Sequence, residues 1–271
     1  MNANKALWEQ GDFTRIAASM RGSGAALVAT LGLTGGEKVL DLGCGDGTTA
    51  LPAAQLGAEV LGVDIASNLV AAGNRRAIAA GLANLRFQEG DASNLSGLED
   101  RRFDLVVSMF GAMFAPSPGD VAKEMVRVTR HGGRIVMGNW IPGDPTLVAQ
   151  ILKISAAYSP PPPPGFVSPM LWGKPDEIVA RFAAAGIAPD HVTCERDIYN
   201  FAYAGPPAAL LDDFVLFYGP TMNAVDAAEK DGRAEQLKAE LAALFERQNT
   251  SGSNDVTEIA AAFLRVTVVV D

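Results

Sequence analysis

The stretch Val39-Leu40-Asp41-Leu42-Gly43-Cys44-Gly45-Asp46-Gly47-Thr48 constrains this chain more than any other. Val39, Leu40 and Leu42 make a short buried strand, and a helix is expected over Thr49 to Leu56. Between them lie three glycines at alternate positions. Gly43, Gly45 and Gly47 let the backbone turn tightly and approach a ligand with no Cβ in the way. A second buried strand, Val60-Leu61-Gly62-Val63-Asp64, ends in an acid about twenty residues further on. In nucleotide-binding βαβ units an acid at that place accepts the ribose hydroxyls, because a carboxylate takes two O–H bonds at once.

The remaining chain continues the alternation. Ala6 to Leu33 reads as helical with a break near Arg21-Gly22-Ser23-Gly24. Strands are expected at Lys38 to Leu42, Glu59 to Asp64, Leu85 to Gln88, Phe103 to Ser108 and Arg134 to Met137. Ser67 reads as the N-cap of a helix through Ala80, and Asp120 as the cap of another that His131-Gly132-Gly133 stops. Trp140 to Lys174 has no periodicity and contains five consecutive prolines, Pro160 to Pro164, which force an extended backbone. Pro175 opens a helix that Gly186 closes, and Val192 to Tyr203 reads as a sixth strand. Helices at Pro207 to Tyr218 and Gly232 to Gln248 precede a β-branched run, Phe263 to Val270. This order predicts an α/β chain: a doubly wound, mostly parallel seven-stranded sheet carrying a helical cap.

The glycine spacing is G-x-G-x-G, whereas the dinucleotide fingerprint is G-x-G-x-x-G; Thr48 stands where the last glycine would be. With Asp41 two residues before the first glycine, "LDLGCGDG" resembles the first motif of the class I S-adenosylmethionine-dependent methyltransferases. "GVDIA" resembles their acidic second motif. The likeness is nearest to the quinone- and natural-product-type branch, which acts on small molecules. It is specific from about Leu33 to Trp140 and rests on element order beyond. A last strand inserted antiparallel also fits that family.

The resemblance implies a cofactor, S-adenosyl-L-methionine, with S-adenosyl-L-homocysteine as product. Gly43 and Gly45 would pass beside its methionine part, and Asp41 would orient the turn or reach the ammonium. Asp64 would take the ribose and Ile65 would flank the adenine. Asp91 and the Ala92 N–H would receive the adenine edge; for Asp91 an Asx-turn is the competing role. Ser108, ending the fourth strand, would face the methionine part. Trp8, with Phe13, would fold over the cofactor or else anchor a helix. Met113, Phe114, Asn139, Trp140, Tyr158, Trp172, Tyr203, Phe214 and Tyr218 are the expected acceptor-pocket residues.

Composition narrows the partners. A net charge of -9, without clustered Lys or Arg, argues against nucleic acid. Two cysteines far apart imply no disulfide framework, and two histidines supply no metal site. No run is long enough to span a bilayer, so a cytoplasmic enzyme without membrane insertion is expected. His131 and His191 precede strands, which puts them away from the carboxyl ends where α/β sheets bind ligands. No catalytic base stands out. The expected organisation is an N-terminal helical lid (1–32), a cofactor-binding core (33–142), a proline-rich lid (143–174), a core continuation (175–204), a helical cap insertion (205–258) and a final strand (259–271). The function expected is methyl transfer to a small, apolar or aromatic acceptor by in-line displacement. A nicotinamide-dependent oxidoreductase and a cofactor-binding regulator without turnover are the alternatives. The acceptor, the methylated atom and the oligomeric state are not legible in the sequence.

Overall fold

The computed structural model describes residues 3–271. Among them, seven strands form one sheet: β1 (Lys38–Leu42), β2 (Glu59–Asp64), β3 (Leu85–Glu89), β4 (Phe103–Met109), β5 (Thr129–Trp140), β6 (Val192–Tyr203) and β7 (Thr257–Val269). The helices are α1 (Ala3–Glu9), α2 (Thr14–Thr30), α3 (Ala50–Gln55), α4 (Ser67–Ala79), α5 (Pro118–Val128), α6 (Leu147–Tyr158), α7 (Pro175–Ala184), α8 (Pro207–Phe217), α9 (Gly219–Lys230) and α10 (Ala234–Gln248). Strand order is β3-β2-β1-β4-β5-β7-β6. β7 runs antiparallel between β5 and β6, and the other neighbours are parallel. The doubly wound, seven-stranded sheet with an antiparallel last strand is therefore as the sequence predicts.

Both faces of the sheet are covered, which is why its central strands are largely apolar. Successive residues turn to opposite sides. Val39, Leu105, Val107 and Val136 join one core with α2 and α3. Leu40, Leu42, Val106, Ile135 and Met137 join the other, with Val121, Met125 and Val128 of α5 and Ile178 and Phe182 of α7. The chain leaves β1 toward β2 on one side and returns as β4 on the other. The ends of β1 and β4 therefore diverge, and a crevice opens at their carboxyl ends. The helices α6, α8, α9 and α10 pack together as a cap; its buried side chains include Leu147, Ile151, Leu210, Phe214, Leu237, Leu241, Leu244 and Phe245.

Several elements differ from the sequence expectation. The N-terminal break lies at Gln10–Phe13, and α2 runs unbroken through Arg21–Gly24. Gly24 is there for close approach: a Cβ on it would come within 2.6 Å of Thr48 and 3.0 Å of the Tyr199 hydroxyl. Ser67 is the first residue of α4, and its hydroxyl donates to Glu9 at 2.6 Å. α5 begins at Pro118, so Asp120 lies in its first turn. β5 starts at Thr129, before the glycine pair. Two helices went unread. α6 is apolar around most of its circumference because the cap surrounds it, so no polar face marks its period. The buried face of α9 is built from small residues, Gly219, Thr221, Ala224 and Ala228 with Val225. β7 begins six residues earlier than expected, at Thr257, because Ala260–Ala262 carry little strand propensity of their own.

Candidate functional site

A cleft with about 1130 Å³ of empty space, its open mouth included, lies over the carboxyl ends of β1, β2, β4, β5 and β6. Its floor is backbone. Gly43 (φ +67°), Gly45 (φ +55°) and Gly47 (φ +90°) are all left-handed, a conformation that costs other residues energy. A Cβ on Gly43 would meet the Gly111 Cα at 2.7 Å, so the turns after β1 and β4 touch through their main chains. A Cβ on Gly45 would find only a Phe13 ring atom, at 3.9 Å. That position faces open cleft.

One half of the cleft is acidic. Asp41, Asp46, Asp64 and Asp91 line it, and no Lys, Arg or His does among the described residues. Asp64 is 8% exposed, and its two oxygens accept the Gly45 N–H at 2.8 Å and the Ala66 N–H at 2.9 Å. It ties the glycine turn to the start of α4, and each oxygen keeps a further lone pair. Burial pushes its carboxyl above the ordinary range against those backbone bonds. Asp41 is buried, with one oxygen unpartnered; burial, with Asp64's charge adding, lifts its pKa from 3.8 to about 8. Asp46 is held from behind by Arg21 of α2 at 2.9 Å and Arg76 of α4 at 3.2 Å, while its other oxygen is buried and unpartnered. Asp91 accepts the Ser93 N–H at 2.8 Å, an Asx-turn that also lines the cleft.

The other half is aromatic. Phe110 stacks on Trp140 with centroids 3.7 Å apart and planes 3° from parallel. Tyr199 meets Phe110 edge-on at 5.0 Å, and Phe214 meets Tyr218 at 5.4 Å. Phe110 adopts φ +66°, which is uncommon for a bulky residue and stores strain at this point of the cleft. Trp8, on α1, packs against Phe114 at 5.1 Å and Tyr218 at 6.1 Å and closes the near side. Glu9 accepts from the Ser67 N–H and hydroxyl, and Lys5 pairs with Glu89, so α1 is fastened across the ends of β2 and β3.

The structure brings most of the expected cofactor residues together. Trp8, Asp41, Gly43, Gly45, Asp64, Ile65, Asp91 and Ala92 all line the cleft. Ser108 does not. Its buried hydroxyl donates to the Leu42 carbonyl at 2.6 Å and accepts the Ala112 N–H at 3.0 Å, clipping the ends of β1 and β4 together beneath the floor.

Of the expected acceptor-pocket residues, Phe114, Trp140, Phe214 and Tyr218 line the cleft and five others do not. Met113 is buried behind the wall. Strand alternation turns Asn139 away from the face that Trp140 presents. Tyr158 donates to Glu240 at 2.6 Å and joins α6 to α10. Trp172 lies under the Arg181 guanidinium at 4.5 Å, beside α7. Tyr203 lies beside Asp213, outside the cleft. Sequence reasoning missed Asp46, Phe110, Val148, Tyr199 and Phe201. The pair Tyr199-x-Phe201 was a signal: two aromatics at period 2 on one face of a strand that is otherwise largely polar.

His131 and His191 both lie at the amino ends of the strands, against Asp271. Burial pushes the Cys44 thiol well up, away from nucleophilic use.

This donor set fits a ligand that carries positive charge, hydroxyls and a flat ring. Two unpartnered buried carboxylate oxygens suit cationic groups, the lone pairs of Asp64 suit hydroxyls, and the open side of Gly45 admits a close main-chain contact. S-adenosylmethionine has each of these parts.

A sequence profile described as a methyltransferase domain matches residues 40–137. An uncharacterized protein of Mycobacterium tuberculosis is 34% identical over 225 residues, 82% of this chain and 78% of its own. The demethylmenaquinone methyltransferase of Paenarthrobacter aurescens is 36% identical over 105 residues, 39% of each chain. A solved phosphoethanolamine N-methyltransferase of Haemonchus contortus, in complex with S-adenosyl-L-methionine, superposes with a TM-score of 0.62. That superposition covers all of this chain and 61% of the other at 14% identity, a likeness of fold. No described helix is long and apolar enough to cross a membrane. The nicotinamide reading of the glycine turn is set aside: the chain belongs to the class I S-adenosylmethionine-dependent methyltransferases, and S-adenosylmethionine is its cofactor.

Proposed function

We propose that the protein methylates a small acceptor with an apolar, aromatic body by in-line displacement. The observation that carries this reading is the ring-lined half of the cleft, formed by Phe110, Trp140, Phe201, Phe214 and Tyr218. Bound S-adenosylmethionine supplies an electrophilic methyl group on a cationic sulfur. The chain's own part is binding and placement. Asp46 offers a carboxylate oxygen to positive charge, Asp41 does so once a cation displaces its proton, and Asp64 offers lone pairs to hydroxyls. The aromatic rings hold a flat acceptor and exclude water. An activated methyl donor needs little more than proximity and alignment, which accounts for a cleft with no Lys or His among the described residues.

The chain divides accordingly in this reading. Residues 1–32 and 143–174 close the cleft, 33–142 and 175–204 with 259–271 form the core, and 205–258 select the acceptor. The demethylmenaquinone relative, matched over 39% of this chain, supports a ring-bearing acceptor. The test is transfer of labelled methyl from S-adenosylmethionine to a panel of aromatic compounds, amines and phosphoamines. Turnover of ring compounds is expected. Turnover of phosphoamines alone would overturn the reading.

A further inference from the structure

S-adenosylmethionine ends in an amino acid, and the carboxylate of that end is the one anion the cofactor brings into the cleft. The lining offers it no cation. Its ionisable side chains, tyrosines and Cys44 apart, are four aspartates, with no Lys, Arg or His among the described residues. Arg21 and Arg76 stand behind Asp46 and are engaged by it, at 2.9 Å and 3.2 Å. The glycine turn is largely committed too. The N–H groups of Gly43 and Cys44 donate to the Val63 carbonyl at 2.7 Å and 3.2 Å, and that of Gly47 donates to the Cys44 carbonyl at 3.0 Å. The Gly45 N–H donates to Asp64 at 2.8 Å. A carboxylate set among acids without donors would be desolvated and repelled. It needs uncharged groups that donate.

One corner of the cleft supplies them. Thr48 follows the last glycine of the turn, Tyr199 reaches in from β6, and both line the cleft. The two converge on one point of α2: a Cβ on Gly24 would lie 2.6 Å from the Thr48 methyl carbon and 3.0 Å from the Tyr199 hydroxyl. The Tyr199 ring is fixed edge-on to Phe110 at 5.0 Å and to Phe263 at 6.0 Å. Its neighbour Asn200 is tied to α2, donating its N–H to the Ser23 hydroxyl at 2.9 Å and accepting from it at 3.0 Å. Burial, with Asp41's charge adding, drives the Tyr199 phenol well above its ordinary range, so it keeps its proton and donates near neutrality. Asp41 itself has one buried oxygen without a partner. The corner therefore sets an acid beside fixed, uncharged hydroxyls. A zwitterionic amino acid needs both, the acid for its ammonium and the hydroxyls for its carboxylate.

We propose that the hydroxyls of Tyr199 and Thr48 hold the carboxylate of the cofactor's amino-acid end, in the place of a cationic side chain. The assignment concerns the cofactor alone and does not depend on which acceptor is methylated. It is tested by calorimetry on the full chain at pH 7, with S-adenosylhomocysteine and with its decarboxylated analogue. That analogue keeps the adenosine, the sulfur and the ammonium and lacks only the carboxylate. Tyr199→Phe and Thr48→Val each remove one hydroxyl and keep the bulk. Each should weaken S-adenosylhomocysteine by about tenfold or more, the size of a lost hydrogen bond to a charged group. Affinity for the decarboxylated analogue should stay at the wild-type value, which also reports that the variants fold. S-adenosylhomocysteine binding unchanged in one variant strikes that residue from the site, and binding unchanged in both overturns the proposal. An equal loss for the two ligands overturns it as well, because the hydroxyls would then shape the cleft without meeting the carboxylate.

Discussion

Replacing Asp41 by Asn should make the protein more stable above neutral pH and worse at holding its cofactor. Asp41 is 1% exposed; the Ala50 N–H lies near its carboxyl, and one carboxylate oxygen has no partner. Burial, with Asp64's charge adding, raises its pKa from 3.8 to about 8. Between those values the folded protein keeps a proton that the unfolded chain releases. The stability this contributes is complete below about pH 4 and is lost as pH rises through about 8. The gap is roughly four pH units at about 1.4 kcal/mol each, an upper limit of about 6 kcal/mol. Asn has no charge to bury and keeps a carbonyl oxygen near the Ala50 N–H, so the variant escapes that loss. Urea unfolding of the ligand-free protein should show similar stabilities near pH 4.5. At pH 8 the variant should lead by about 2 kcal/mol or more. Calorimetry with S-adenosylmethionine at pH 8 should show affinity reduced about tenfold or more, because a buried carboxylate facing a cation is gone. A stability gap of the same size at both pH values, or a variant less stable at pH 8, would refute the argument.

Two further outcomes follow from placement. Ser108→Ala leaves the Leu42 carbonyl and the Ala112 N–H without their shared partner in a buried place; it should cost about 2–4 kcal/mol in urea unfolding, and a loss below about 1 kcal/mol would show that the clip is dispensable. His131→Ala should leave methyl transfer nearly intact, because His131 lies beside Asp271 at the far end of the strands. A loss on the order of a hundredfold or more, the size expected for a missing general base, would contradict that topology.

The cofactor side was legible because it is written locally. Gly43, Gly45, Asp41 and Asp64 owe their places to two strand ends and one turn, all within thirty residues of chain. Ser108 shows where this ends: its position was right to within a residue, but whether its side chain points into the cleft or under it depends on the face of β4. The ring-lined half of the cleft was read less well because it is assembled from distant pieces. Phe110, Trp140, Tyr199 and Tyr218 come from four separate segments, and only the register of β6 on β7 fixes which face of β6 looks inward. Tyr158 and Trp172 were attractive as aromatics near the lid, yet Glu240 and Arg181 claim them for packing between helices. The uniformly apolar α6 and small-residue α9 offered no amphipathic pattern to read.

The contact between Gly43 and Gly111 has a consequence for how such an enzyme diversifies. There is no residue smaller than glycine, so this junction has no room to be retuned; any substitution pushes the turns after β1 and β4 apart. The opposite wall is made of side chains, whose bulk, ring count and hydroxyls are all exchangeable while the main chain stays put. Inheritance is thus split within one cavity. Its glycine floor is frozen by geometry, and its ring-lined wall is free to drift, so lineages that share this sheet should part company first at Phe201, Phe214 and Tyr218.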